Sequence, residues 1–165
     1  AAYFQDVGLS STKAAVGVSL NAVFTGVGGL AFGWLIERVN EKFCFMIIAV
    51  IMGSSSLLFM SVDTFVQAWI CASVFGIALG GMLVVPPVAI ANYFGRNSLG
   101  SIRGFTEIFV SLGQALGGIV SGIVFDLYNN YDVAFLLLAA VSIIAFIIIS
   151  TSAKPHKSRS DLLNT

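Results

Sequence analysis

The sequence predicts an all-α membrane protein with five transmembrane helices, and three observations carry the prediction. Five stretches hold no Asp, Glu, Lys or Arg: 14–36, 43–62, 64–95, 108–125 and 133–153. Each approaches or exceeds the ~18–20 apolar residues that cross a hydrocarbon core about 30 Å thick. The chain is 58% hydrophobic and 10% charged, with mean hydropathy +0.97, whereas soluble domains carry roughly 25% charged residues. The third observation is the placement of the basic residues. Arg38 and Lys42 follow the first span, Arg96 and Arg103 separate the third from the fourth, and Lys154, Lys157 and Arg159 follow the fifth. The gaps after the second and fourth spans hold only Asp63, Asp126 and Asp132, and Lys13 alone precedes the first. The positive-inside bias then predicts an external leader and a cytoplasmic C-terminus.

These signals divide the chain into an external loop (1–13), a transmembrane region (14–153) and a cytoplasmic tail (154–165). The expected spans are 14–36, 43–62, 65–93, 103–125 and 133–153. The leader has neither the basic start nor the apolar centre of an export signal, so an external start is expected of a fragment whose upstream part lies elsewhere.

In the first span, Asn21 and Thr25 are four apart, with Gly28 and Gly29 just beyond. They suit either an interhelical hydrogen bond or a substrate contact. The second and fifth spans are rich in Phe, Ile and Leu all round and read as lipid-facing supports. Cys44 in the second and Cys71 in the third have no CxxC or His neighbour, which suits buried, reduced small side chains.

The third span contains Pro86-Pro87. Proline removes a backbone donor and clashes with the preceding turn, so a bend, a break or a hinge is expected here. In the fourth span Arg103, Glu107, Ser111, Gln114 and Gly118 recur at helical spacing and form one stripe. Ile108, Phe109, Leu112, Leu116 and Ile119 fall off it. Charged groups within a membrane cost at least ~2.5–3.5 kcal/mol on insertion scales and face a bundle interior or water. Arg103 and Glu107 are therefore candidates for a rim pair, a gate or a coupling site, and Ser111 and Gln114 for the solute pathway. Gly76 with Gly80, and Gly29 with Gly33, make small-xxx-small pairs suited to close helix approach. Trp34 and Tyr93 on one side, with Tyr128 and Tyr131 on the other, suit interfacial anchors.

Other chemistries find no support. There is no phosphate loop, nucleophile elbow or His–carboxylate grouping; the single histidine, His156, lies in the tail. No enzyme activity, metal or cofactor is expected. A net charge of zero gives no reason to expect nucleic acid.

The gap after the first span reads Gly33-Trp34-Leu35-Ile36-Glu37-Arg38-Val39-Asn40-Glu41-Lys42. It resembles the Gly-x-x-x-Asp-Arg-x-x-x-Lys/Arg loop signature of the major facilitator superfamily, keeping Gly33, Arg38 and Lys42 and placing Glu37 where Asp is usual. The run Asn92-Tyr93-Phe94-Gly95-Arg96, then Gly100-Ser101-Ile102-Arg103-Gly104 and a Gly-rich span ending Phe125-Asp126, resembles a later part of the same fold. The resemblance implies helices eight to twelve of a twelve-helix carrier, a C-terminal bundle lacking its first helix. It is nearest in flavour to the monocarboxylate and oxalate–formate group, although no span carries a basic residue at its middle. It further implies a small organic solute, alternating access, proton symport or exchange, and the remaining helices of the same protein as partner. The alternative is a self-contained five-helix scaffold or assembly subunit.

Overall fold

The computed structural model describes residues 11–62, 64–95, 99–128 and 131–152, and the described residues are helical throughout apart from their connections. The helices are α1 (Ser11–Ile36), α2 (Glu41–Phe59), α3 (Phe65–Phe94), α4 (Leu99–Tyr128) and α5 (Asp132–Thr151). All five are long and apolar enough to cross a membrane, so the expected all-helical, five-span class stands. The leader before Ser11, Asp63, Arg96 and the tail cations lie outside the described residues.

Local chemistry sets the boundaries. Asn40 caps α2, its side-chain oxygen accepting from the Lys42 N–H at 3.2 Å, which satisfies one of the orphan donors of the first turn. Thr64 and Gln67 form a capping box at the start of α3, with the Thr64 N–H donating to Gln67 Oε1 at 3.0 Å and the Gln67 N–H to Thr64 Oγ1 at 3.4 Å. Gly95 ends α3 at φ 78°, a left-handed backbone that side chains disfavour. Within the helices, Ser55 and Ser56 donate to the Met52 carbonyl, and Ser73, Ser121 and Ser142 each donate to the carbonyl four residues back. These hydroxyls are thus satisfied locally, as hydrocarbon requires.

The packing order is α1, α3, α2, α5, with α3 at the centre. α1 packs most extensively on α3, and α2 lies between α3 and α5. The α1–α3 contact is made through glycine. A Cβ on Gly80 would strike the Thr25 carbonyl, one on Gly76 the Asn21 carbonyl, and one on Gly28 the Ile77 carbonyl. The two backbones therefore touch directly, which only small residues permit. Gly33 is not part of this approach, because a Cβ there would meet Val84 at an ordinary 3.8 Å. The closest contacts lie deeper in the membrane than the loop signature suggests.

One core cluster joins Phe32 and Ile36 of α1 to Cys44 and Ile48 of α2 and Ala78 and Val85 of α3. A second sits at the opposite end, where Phe59 stacks on Phe135 at 5.3 Å between ring centroids and meets Phe75 edge-on at 6.4 Å. Both cysteines are free and buried. α2 departs from a purely lipid-facing support. Cys44, Ile48, Ala49, Gly53, Ser55, Ser56 and Phe59 are buried, leaving Phe43, Ile47, Val50, Leu57 and Leu58 outside. Its hydrophobicity all round conceals a divided helix, because a packed face and a lipid face are equally apolar. The Pro86-Pro87 step brings no break either: α3 runs helical through both prolines.

Candidate functional site

The polar stripe lies on α4, the helix least attached to the bundle. From Arg103 to Val120 every residue is exposed, and a Cβ on Gly104, Gly113, Gly117 or Gly118 would meet nothing within 4 Å. Among the described residues of α4, burial is confined to the ends, at Ile102 on one side and at Ser121, Val124 and Phe125 on the other. There Phe125 stacks on Tyr131 at 4.6 Å between centroids. At 100° per residue, Ser121, Val124 and Phe125 fall on the same side of α4 as Arg103, Glu107 and Gln114. The stripe therefore lies on the side by which α4 meets the bundle, along a length where no neighbour is packed.

Glu107 and Ser111 share a shallow depression with Gly104, Ile108 and Leu112. Gln114 lies two helical turns deeper than Glu107, and roughly 16 Å along the axis from Arg103. Arg103 and Glu107 are both exposed, and among the described residues no ion pair joins their side chains.

The α1 candidates are engaged otherwise. Asn21 Nδ2 donates to the Ala72 carbonyl of α3 at 2.9 Å, and Thr25 Oγ1 donates to the Asn21 carbonyl at 2.8 Å. Of the two readings open for these residues, the interhelical bond is the one Asn21 makes. Asn21 also borders an almost wholly apolar cleft of about 250 Å³ where α1, α2, α3 and α5 meet, beside Ser56, Phe59, Phe75 and Phe135.

The loop signature is spread over several tasks. The Arg38 guanidinium sits 4.1 Å from the centroid of the Trp34 ring, a cation–π contact at the helix end. Lys42 Nζ donates to the Ser150 carbonyl at 2.7 Å and the Ser152 carbonyl at 2.9 Å, at the end of α5. Glu37 is exposed. The acid that binds a neighbouring helix is instead Glu41, whose carboxylate accepts from Asn92 Nδ2 at 2.9 Å and Tyr93 OH at 3.3 Å. The loop signature points to Glu37. The available signal for Glu41 is its place beside Asn40, in the first turn of the next helix.

A bundle of five long apolar helices defines a multi-pass membrane protein. The sequence model of the Major Facilitator Superfamily matches residues 1–163, and the chain belongs to that family. It is a family of transporters and not of enzymes. Among curated proteins, the chain is 29% identical over 139 residues to monocarboxylate transporter 12 of Xenopus laevis, covering 82% of the chain and 30% of that protein. It is 27% identical over 141 residues to monocarboxylate transporter 13 of Rattus norvegicus, covering 84% and 33%. A probable transporter, MCH1 of Wickerhamomyces anomalus, is 27% identical over 116 residues, covering 66% and 24%. The chain thus spans at most about a third of the length of these relatives.

Proposed function

We propose that this chain forms helices eight to twelve of a secondary carrier for a small organic solute, a monocarboxylate or another small anion. The carrier works by alternating access, with two halves rocking around a central site, and is driven by proton symport or exchange. The observation that carries the reading is the α4 stripe. Arg103, Glu107, Ser111 and Gln114 form a polar line along a membrane-length helix, exposed throughout. In a bilayer such a line belongs against other helices or water. The remaining helices of the same protein supply the opposing wall, and the solute passes between. The similarity to monocarboxylate transporters supports the solute class. The positive-inside pattern supports a cytoplasmic C-terminus, and the plasma membrane is the expected location.

In this reading Ser111 and Gln114 offer hydrogen bonds to the solute. Arg103 and Glu107, nearer the cytoplasmic rim, gate or couple. Pro86-Pro87 supplies the compliant point of α3, and Asn21 and Thr25 stiffen the wall behind. The test is uptake of a labelled C3 monocarboxylate into proteoliposomes bearing the complete carrier, under an imposed inward proton gradient. Gradient-dependent uptake, absent from liposomes containing the 165-residue chain alone, is the expected result. A complete carrier that moves no small organic anion overturns the proposal.

A further inference from the structure

We propose that Glu41 and Lys42 form a two-sided brace that pins α3 and α5 to the first turn of α2. The two residues are consecutive, so their side chains leave the helix about 100° apart and reach different neighbours. Glu41 receives Asn92 Nδ2 and Tyr93 OH from the last turn of α3, at 2.9 and 3.3 Å. Lys42 donates to the carbonyls of Ser150 and Ser152, at 2.7 and 2.9 Å, where α5 ends.

Both directions suit the backbone electrostatics. A carboxylate in the first turn of α2 lies at the positive end of that helix dipole, and an ammonium at the end of α5 lies at the negative end of its dipole. The final carbonyls of a helix lack intrahelical donors, so Lys42 supplies hydrogen bonds that α5 cannot make for itself. Asn40 fixes the starting geometry by accepting the Lys42 N–H. The brace joins the same pairs that pack along their length, α2 with α3 and α2 with α5.

The consequence goes beyond the loop signature. All these partners lie within one bundle, so the first turn of α2 holds α2, α3 and α5 as a single body at this end. On the carrier reading, the brace ties the last turn of α3 to α2 and α5, and the Pro86-Pro87 step separates this braced end from the part of α3 whose backbone touches α1.

The test needs no transport, so it stands apart from the functional proposal. Thermal unfolding of the full chain in detergent micelles is measured for Glu41→Ala, Asn92→Ala and the double variant. Each single change is expected to lower Tm by about 2–4 °C, and the double change by clearly less than the sum, because both single changes delete the Glu41–Asn92 bond. Additive losses overturn the Glu41 arm. Lys42→Met is expected to lower Tm similarly while Lys42→Arg keeps the wild-type value; equal stability of Lys42→Met and wild type overturns the Lys42 arm. Hydrogen exchange on the unaltered chain covers variants that do not fold. Protected amides in the last turns of α3 and α5 are expected, and free fraying there overturns the brace.

Discussion

Asn21 donates its side-chain amide to the Ala72 carbonyl across the α1–α3 interface. The bond sits beside the point where Gly76 brings the two backbones together against the Asn21 carbonyl. One residue thus supplies both a donor across the interface and the backbone against which the opposing glycine packs. The substitution Asn21→Ala is expected to destabilise the chain by about 0.6 kcal/mol, the average for interhelical hydrogen bonds in a membrane, and by no more than ~1.7. Thermal unfolding in micelles measures it. A neutral result removes the bond from the account of this interface.

Gly80 and Gly117 should behave oppositely although both are glycines within helices. A side chain at Gly80 strikes the Thr25 backbone, which cannot rotate away. Gly80→Val is expected to cost about 1–3 kcal/mol through overpacking. Nothing lies near Gly117, so Gly117→Ala should leave the isolated chain unchanged or make it up to about 1 kcal/mol more stable through helix propensity. A loss at Gly117 that appears only in the complete carrier would locate a helix packed on that face of α4.

Glu107 tests the coupling role. In the complete carrier, Glu107→Gln is expected to abolish proton-driven uptake while leaving surface expression intact. Solute exchange in the absence of a gradient should survive. Unchanged proton dependence would return Glu107 to a purely structural position at the rim.

The capping box gives a local prediction. Thr64 and Gln67 bond reciprocally at the start of α3. Thr64→Ala is expected to cost about 1 kcal/mol, read as a lower Tm, and Thr64→Ser should recover most of it. Equal stability of Thr64→Ala and wild type would show that water or headgroups replace the cap.

The five helices were legible in the sequence because a soluble fold rarely leaves runs of that length without a charge. The family was legible because Gly33, Arg38 and Lys42 kept their spacing. Gly76 and Gly80 were also recognisable as close-packing positions, since their four-residue spacing places both on one side of α3. What the sequence hid were the partners. Asn21 bonds to a backbone carbonyl, and any residue can offer one, so no pattern marks Ala72 in advance. The Lys42 contacts are hidden for the same reason. The divided character of α2 was not legible, because polarity cannot separate a protein-facing side from a lipid-facing one when both are apolar. On α4 the reverse held: the stripe was visible as a pattern, and the structure leaves it exposed from Arg103 to Gly118.

The uninterrupted passage of α3 through Pro86 and Pro87 has a consequence for the residues one turn earlier. Neither proline has an N–H to offer, so the carbonyls of Met82 and Leu83 lose their usual donors four positions ahead. Both residues are exposed on the bundle surface, Leu83 by 63%. By hydropathy this is among the greasiest stretches of the chain, yet a bare carbonyl in hydrocarbon costs several kcal/mol. The two adjacent prolines leave these carbonyls to the means by which membrane helices satisfy groups that proline frees: a local adjustment of the helix, a hydroxyl, an ordered water or a neighbouring helix.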